Sequence, residues 1–424
     1  MKILVIGGGG REHAIAWRLA QSPAVTKLYA TPGNPGIGQV AECLPSGSGS
    51  VEDLLRLAAS IEADLTVVGP EAPLVAGVVD AFRAAGRWIV GPTARAARLE
   101  GSKIFAKEFM SRARIPTAQF VTVDNQADAL RALDRFGYPV VLKADGLAAG
   151  KGVVVAPDRR QAELTAHGLL SGQLVGKAGA RLVIEEFLTG EEVSFIVLSD
   201  GKRVLTLEPT EDHKAVFDGD TGPNTGGMGA YCDDRILDEA QRRAVLDQVI
   251  QPVVEQMSAE GCPFTGFLYA GLMMTAAGPK VLEFNVRLGD PEAQALLDRL
   301  DCDFAAVLEA AARGDLGGAE LASKRDPSVC VVLASAGYPG PIRPGAPISG
   351  IQEAEARGAT VFHAGTRLGP HGLETSGGRV VGVTASGPDL ATAIQRTYHA
   401  VSCVHFEGMH YRSDIGRKGL RRVS

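Results

Sequence analysis

The first hundred residues alternate short apolar runs with helical segments, and this alternation constrains the fold more than any other feature. The pattern predicts strands at Lys2–Ile6, Lys27–Ala30, Asp64–Gly69 and Trp88–Gly91, separated by helices at Glu12–Gln21, Val51–Ser60 and Leu74–Ala85. Such an order predicts a parallel sheet with right-handed crossovers. Glycine-rich loops follow these strands, and ligands of parallel sheets bind at the carboxyl ends of the strands.

The chain has 424 residues, which is too long for one hydrophobic core. A second unit begins near Gly101, and helices are predicted in it at Leu237–Met257 and from Pro291 to about Arg313. From about Ser328 the pattern changes to short strands with Gly/Pro turns and one helix at Leu390–Val401. We therefore predict a multidomain α/β and α+β protein. Its units are a parallel βαβ domain at 1–101, a second domain at 102–325 with a hinged subdomain near 119–190, and a small α+β domain at 326–424.

Composition excludes several functional classes. The formal net charge of −6 gives no basic footprint for nucleic acid. No apolar run approaches the ~18 residues that a membrane span needs, and the apolar start fits a strand better than a signal peptide. The six cysteines form no C-x-x-C pair, which favours reduced thiols in a cytoplasmic protein.

A carboxylate and an amide lie two residues apart in the segment Val281 to Glu292. Glu283 and Asn285 belong to a predicted strand, so both side chains project from one face. Oxygens of this kind suit Mg²⁺, which leaves its other positions to water and phosphate. Arg287 continues on the same face, where it suits an anionic substrate. Taken alone, Glu-x-Asn is common, and an ordinary half-exposed strand explains the pair better than a metal site does.

A second phosphate signal lies in the segment Gly137 to Val155. An apolar run ends in Lys143, and a glycine-rich loop, Gly146 to Gly152, leads into another strand. Backbone N–H groups of such a loop close over phosphates, and the lysine adds a point charge. The spacing is not that of a Walker A motif, and a plain glycine hairpin is the alternative.

Three further segments carry candidate ligand groups. The loop Gly7–Gly10 opens a helix, which suits a phosphate, but it lacks the dinucleotide fingerprint. The hinge Ile184–Leu188 offers backbone groups to an adenine edge, and Glu192 offers a carboxylate to ribose hydroxyls. The stretch Asp212 to Tyr231 is predicted to be a twenty-residue loop without secondary structure, which is typical of a functional loop.

These segments together resemble the ATP-grasp superfamily and, within it, the family of phosphoribosylamine–glycine ligases. The resemblance covers essentially the whole chain. It rests on five segments in order: Val5–Ala14, the lysine hairpin, Gly222–Ala230, Glu283–Arg287 and Phe406–Gly416. It implies that ATP activates glycine as glycyl phosphate, which the amine of 5-phosphoribosylamine then attacks to give glycinamide ribonucleotide, ADP and phosphate.

The resemblance also implies roles for individual residues. The expected phosphate-contacting lysines are Lys103 and Lys143, the adenine site is Glu185, Glu186, Phe187 and Leu188, the ribose ligand is Glu192, and the Mg²⁺ or Mn²⁺ ligands are Glu283 and Asn285. Glycine and the γ-phosphate would meet Asp212, Lys214, Asn224, Gly227, Met228 and Arg287. Gly9, Gly10, Asn34 and Glu71 would bind 5-phosphoribosylamine. Ala215 stands where the family has a second basic residue, so one phosphate contact differs.

Two other functions compete with this one. Another ATP-grasp carboxylate ligase, such as a biotin carboxylase relative, would use bicarbonate in place of glycine. A nucleotide sensor would bind ATP without turnover, although intact Lys103, Lys143, Glu283 and Asn285 argue against it. We expect a monomer that binds only small molecules: ATP, glycine and 5-phosphoribosylamine.

Overall fold

The N-terminal unit is a five-stranded parallel sheet. The structure, a computed structural model, describes residues 1–146, 152–174, 176–370 and 372–422. The strands are β1 Lys2–Gly7, β2 Lys27–Pro32, β3 Glu42–Cys43, β4 Leu65–Val68 and β5 Trp88–Val90, in the order β3-β2-β1-β4-β5. The helices are α1 Gly10–Leu19, α2 Val51–Ser60, α3 Glu71–Val75, α4 Val78–Ala84 and α5 Ala94–Gly101. The predicted parallel sheet is confirmed.

One predicted helix of this unit is divided. The expected helix over residues 74–85 is interrupted at Gly77, whose φ of +91° is a left-handed conformation that ends α3 and starts α4. Glycine adopts this conformation without steric cost, so the chain turns there. The short strand β3, with only two residues, carries no periodic signal and was not predicted.

The segment predicted to be a hinged subdomain contains a four-stranded antiparallel sheet. After α6 Lys103–Arg112, the strands β6 Phe120–Val123, β7 Val140–Ala144, β8 Val153–Ala156 and β9 Leu182–Glu186 pair in the order β6-β9-β7-β8. Helices α7 Gln126–Leu133 and α8 Arg159–Leu170 pack on one face and close a small apolar core of their own. A separate core is what a subdomain needs to move as a unit.

The largest sheet unites the rest of the chain. Its strands follow the order β17-β16-β10-β12-β15-β18-β22-β19, with β11 beside β10. The strands are β10 Glu191–Asp200, β11 Val204–Thr206, β12 Thr210–Asp212, β15 Gly229–Cys232, β16 Thr265–Thr275, β17 Gly278–Asn285, β18 Ser328–Ala334, β19 Thr360–His363 and β22 Arg379–Ser386. Hairpins β13 Ala215–Phe217 with β14 Thr221–Asn224, and β20 Thr366–Gly369 with β21 Gly372–Thr375, stand apart from it.

Because β15 pairs with β18, the sheet runs without a break across the predicted boundary at residues 325 and 326. The boundary itself stays a prediction. The remaining helices are α9 Glu239–Val245, α10 Gln251–Ala259, α11 Glu292–Arg299, α12 Phe304–Arg313, α13 Ile351–Ala356, α14 Leu390–Val401 and α15 Arg417–Leu420. Within the described ranges, no helix is both long enough and apolar enough to cross a bilayer.

Two sequence predictions need correction here. The stretch from Asp212 to Tyr231 is not a loop without secondary structure, because it contains the hairpin β13–β14 and enters β15. The predicted single helix from Pro291 to about Arg313 is two helices, since α11 ends at Arg299 and Asp303 caps α12. The helix predicted at 237–257 is nearly continuous, as a π-turn at Leu246–Ile250 joins α9 to α10.

Candidate active site

Glu283 and Asn285 lie at the end of β17 with their side chains on one face. No hydrogen bond or ion pair to another described residue engages the Glu283 carboxylate. Burial raises its pKa, but the positive charges of Lys214, Lys143 and Lys103 more than offset this effect and lower the pKa below its usual range. An ionised, unpaired carboxylate therefore faces three ammonium groups.

The site is built for a divalent cation with few protein ligands. Within the ranges that the structure describes, no three His, Cys, Asp or Glu side chains cluster as a complete metal cage. Two oxygens on one strand fit Mg²⁺ or Mn²⁺, since such ions keep several positions for water and phosphate oxygens. The chemistry of the donor set thus suits a metal that arrives with a nucleotide.

Lys143 is the penultimate residue of the buried strand β7 and points toward β17. Its Nζ lies 2.5 Å from Glu185 Oε1 and donates to the carbonyl of Leu282 at 2.9 Å, next to Glu283. The other oxygen of Glu185 lies 2.5 Å from Lys107 Nζ, which also donates to Thr117 Oγ1 at 2.7 Å. One carboxylate therefore orients two buried lysines. The glycine-rich loop that follows Lys143 falls largely outside the described residues, at 147–151.

Lys107 was not predicted from the sequence. It lies on α6, where a lysine usually marks a solvated face, yet it is almost fully buried. Burial lowers its pKa from 10.5 to about 8, although the neighbouring Glu185 carboxylate acts in the opposite direction. Burial also lowers the pKa of Lys103, the first residue of α6, whose ammonium has no hydrogen bond or ion pair within the described part of the chain.

The predicted adenine hinge needs a partial correction. Glu185 is a strand residue paired on both sides, with Phe120 of β6 and Val141 of β7, so its backbone is already engaged. Glu186 Oε1 accepts the Gln119 N–H at 3.0 Å and lies 3.1 Å from Lys280 Nζ. The free backbone groups belong to Phe187 and Leu188, which follow β9 and bond to no other described residue.

A group of buried polar side chains lies beside these lysines. Asp212, at the end of β12, has a buried Oδ1 without a hydrogen-bond partner among the described residues. Burial and the nearby Glu292 carboxylate raise its pKa well above the usual range, against the attraction of Lys214. Glu292 Oε1 accepts from Tyr269 Oη at 2.9 Å and from Ser194 Oγ at 3.3 Å. Lys214 forms an ion pair with Glu192.

The turn after β14 presses against Asp212. Gly227 has a φ of +109°, and a Cβ built there would lie 2.8 Å from Asp212 Oδ1 and 2.5 Å from Pro291 Cδ. Only glycine fits this position. Asn224, nearby in β14, is exposed, and its side chain forms no hydrogen bond with a described residue.

Met228 does not line the site as predicted. Its side chain is fully buried against Val216, Ala334 and Tyr338. Its backbone N–H donates to the His213 carbonyl at 2.8 Å, and its carbonyl accepts the Val332 N–H at 3.0 Å. Both polar groups are therefore engaged, and Met228 anchors the turn to the sheet instead.

Arg287 joins the end of β17 to helices α3 and α5 of the N-terminal unit. Its guanidinium lies 2.8 Å from Glu100 Oε1 and 3.4 Å from Glu71 Oε2, and it donates to Asn285 Oδ1 at 3.5 Å. Glu100 also accepts the Val286 N–H at 2.8 Å. Burial lowers the pKa of Arg287, but the carboxylates of Glu100 and Glu71 outweigh this effect and raise the pKa above its usual range. The guanidinium is thereby fixed beside the Glu-x-Asn pair.

Gly9, Gly10 and Asn34 meet at the carboxyl end of the parallel sheet. The Gly9 N–H donates to Glu12 Oε2 at 2.6 Å, and Gly10 packs against Gln294 and Asp290 so closely that a Cβ would clash. Asn34 Nδ2 donates to the carbonyls of Gly8 at 2.9 Å and His363 at 2.8 Å. Asn34 therefore joins the loop before α1 to His363, the last residue of β19.

The segment Phe406–Gly416 packs against the β13–β14 hairpin. Arg412, fully buried, donates to the carbonyl of Ala215 at 3.1 Å and lies 2.9 Å from Asp220 Oδ1. The side chain of Ala215 is buried, so this position contributes no basic group to the site. The C-terminal segment thus supports the β13–β14 hairpin.

Comparisons with known proteins agree with this architecture. The phosphoribosylglycinamide synthetase family models match as an N domain at residues 1–100, an ATP-grasp domain at 101–293 and a C domain at 328–418. Phosphoribosylamine–glycine ligases from Yersinia pestis and Escherichia coli K12 are 49% and 48% identical over 426 residues. They cover 100% of this chain, which covers 100% and 99% of theirs.

Solved structures show the same relationship. The phosphoribosylamine–glycine ligase of Thermotoga maritima matches with a TM-score of 0.87 and 31% identity, covering 98% of this chain and 100% of its own. Biotin carboxylase from Campylobacter jejuni matches with a TM-score of 0.73 at 15% identity, over 99% and 95% of the two chains, and shares the fold alone.

The antiparallel sheet β6-β9-β7-β8 with helices α7 and α8, called the lid below, carries Lys143 and faces the Glu-x-Asn strand β17. This arrangement defines an ATP-grasp enzyme, the class that the sequence resemblance predicted. Within this class the chain belongs to the phosphoribosylglycinamide synthetase family, and the resemblance is confirmed.

Proposed function

We propose that this chain joins glycine to 5-phosphoribosylamine with the conversion of ATP to ADP and phosphate, giving glycinamide ribonucleotide in purine synthesis. One observation carries the proposal: the unpaired Glu283 carboxylate, three lysines and the orphaned Asp212 oxygen converge between the lid and Arg287. This arrangement binds a metal-bound polyphosphate on one side and a small cation-bearing acid on the other. Family membership identifies that acid as glycine.

ATP lies between the two antiparallel sheets in this proposal. The unpaired backbone groups of Phe187 and Leu188 bind the adenine edge, with Glu186 at the hinge, and Glu192 accepts from the ribose hydroxyls. Lys103 and Lys143 neutralise the phosphates, and Glu185 holds Lys143 in place through its 2.5 Å ion pair. Glu283 and Asn285 would hold Mg²⁺ or Mn²⁺, which would supply positive charge to neutralise the phosphates.

Glycine binds beside the γ-phosphate. Its ammonium group gives Asp212 Oδ1 the partner that the carboxylate lacks, because an unpaired buried oxygen is costly and a cationic donor satisfies it. A carboxylate oxygen of glycine attacks the γ-phosphorus, and the bond to the ADP oxygen breaks. Lys214 and Arg287 stabilise the charge on the transferring group, while Asn224 and Gly227 line the pocket.

The second step joins the two substrates. The amine of 5-phosphoribosylamine attacks the carbonyl carbon of glycyl phosphate, phosphate leaves, and the nitrogen releases one proton. The helix N-terminus at Gly9 and Gly10 binds the ribose phosphate, and Asn34 and Glu71 border the sugar. Closure of the lid keeps water from the acyl phosphate.

The chain acts in the cytoplasm as a monomer on small molecules alone. The described structure contains six free cysteines, none in a disulfide, which supports a reducing compartment. Neither nucleic acid nor a membrane takes part in the proposed reaction.

The proposal is tested by ADP release with each substrate omitted in turn. We expect turnover only when ATP, a divalent cation, glycine and freshly made 5-phosphoribosylamine are all present. Bicarbonate-dependent release without glycine would favour the carboxylase alternative. ATP binding without any substrate-stimulated release would favour a nucleotide sensor.

A further inference from the structure

Arg379 connects the C-terminal part of the chain to two loops of the candidate active site. It begins β22, and its Nη1 donates to the carbonyl of Gly226 at 2.6 Å and to the carbonyl of Asp290 at 2.5 Å. Its Nη2 lies 3.3 Å from the Asp290 carboxylate. One guanidinium therefore ties the turn after β14 to the loop that follows Arg287.

The turn at Gly226 lies in direct contact with the Arg379 guanidinium. A Cβ built at Gly226 would lie 3.1 Å from the Arg379 guanidinium carbon, so the turn rests directly on the guanidinium. The Gly226 N–H donates to Tyr338 Oη at 3.1 Å, which fixes the same peptide from the C-terminal side. On its other face the turn meets Asp212 through Gly227. A single layer of backbone thus separates Arg379 from the orphaned Asp212 oxygen.

The second loop leads to the other substrate pocket. Asp290 Oδ1 accepts from Gln294 Nε2 at 2.8 Å and lies 3.5 Å from a Cβ built at Gly10. Arg379 is thus hydrogen-bonded to two loops: the Gly226 turn, which borders the glycine site, and the Asp290 loop, which borders Gly9 and Gly10.

We propose that Arg379 is a positioning residue that holds the glycine and 5-phosphoribosylamine sites in register. The proposal rests on the glycine site proposed above. A planar guanidinium bonds two carbonyls and a carboxylate at once, whereas a lysine ammonium reproduces the charge but only part of this geometry. The adenine hinge at Phe187 lies on the lid and makes no contact with Arg379, so nucleotide binding is not expected to depend on it.

The test compares Arg379→Ala, Arg379→Lys and Tyr338→Phe with Val383→Ala, a buried control on the same strand. For Arg379→Ala we expect kcat/KM for glycine and for 5-phosphoribosylamine to fall ~100-fold or more, with KM for ATP changed less than about threefold. Arg379→Lys recovers part of the loss. Added guanidinium ion restores activity to Arg379→Ala, since about a fifth of the Arg379 side chain is exposed.

Two results would overturn the inference. Wild-type kcat/KM for both acceptor substrates in Arg379→Ala would remove the positioning role. Equal losses in Arg379→Ala and Val383→Ala, without guanidinium rescue, would make the residue merely structural. If Arg379→Ala does not fold, Tyr338→Phe must still lower kcat/KM for glycine about threefold or more, and an unchanged value would contradict the inference. Absence of glycine-dependent turnover in the wild type would instead refute the proposed function.

Discussion

Replacing Glu185 by Gln removes the one negative charge that two buried lysines share. Lys107 and Lys143 each lie 2.5 Å from a Glu185 oxygen, and all three side chains are almost fully buried. Gln keeps the shape, but only one of its two terminal atoms accepts hydrogen bonds, and its NH2 group faces one of the lysines. The substitution therefore tests charge rather than packing.

The expected cost follows from the two lysines separately. Burial lowers the pKa of Lys107 to about 8 even with Glu185 present, so at pH 7 only about one further pKa unit separates it from neutrality. Proton release caps its added cost at about 1.4 kcal/mol. Lys143 loses a charge-assisted bond worth ~1.5–3 kcal/mol but keeps the Leu282 carbonyl. The total is ~3–4 kcal/mol, within the range for breaking a buried ion pair.

Native-state hydrogen exchange measures this cost locally, which suits a chain whose several domains need not unfold together. Amides of β7 and β9 should open more easily in Glu185→Gln by ~3–4 kcal/mol. Lys107→Met and the double variant complete a cycle, with an expected coupling energy of ~1–2 kcal/mol. A change below ~0.5 kcal/mol in Glu185→Gln, or strict additivity in the cycle, would refute the reasoning.

Three further predictions concern the same cleft. Glu283→Gln should lower kcat for ADP release ~100-fold or more, because metal binding is lost. Its melting temperature should stay unchanged, and near-normal turnover would contradict the metal assignment. Gly227→Ala should lower kcat/KM for glycine ~100-fold, because the added Cβ clashes with Pro291. Gly219→Ala is the control: Gly219 also has a positive φ, +69°, but no atom lies within 4 Å of an added Cβ. This variant should keep its kcat/KM for glycine. Between about pH 8 and 10.5 the Lys107 side chain holds its proton only in the unfolded chain. The free energy of unfolding should therefore rise with pH in that window. Denaturation midpoints of Lys107→Met should not show this rise, and a profile unchanged from the wild type would contradict the low pKa of Lys107.

The sequence predicted best where a regular period and its turn residues agree. The parallel sheet follows from apolar runs that end in glycine, and the Glu-x-Asn pair follows from strand alternation alone. The strands between Asp212 and Tyr231 escaped prediction because each has only three or four residues, and one of them contains Gly222 and Pro223. β13 and β14 pair with each other, whereas β15 also pairs with β18, which lies far away in the chain.

Residues that act through distant partners carried no usable sequence signal. Lys107 occupies a helix position like those of solvated lysines, and its partner Glu185 lies 78 positions further along the chain. Arg379 follows a glycine turn that indicated only a strand connection, and its bond to Gly226 spans 153 residues. Burial and long-range contact, rather than local pattern, give both residues their place in the site.

The path of a glycine oxygen tests the proposed mechanism most directly. With glycine labelled by ¹⁸O in its carboxylate, complete turnover should deliver one labelled oxygen to each inorganic phosphate, because the attacking oxygen leaves with the phosphoryl group. Mass spectrometry of the released phosphate measures this transfer. Unlabelled phosphate formed in step with glycinamide ribonucleotide would contradict glycyl phosphate as the intermediate, and with it the roles given to Asp212 and Lys214.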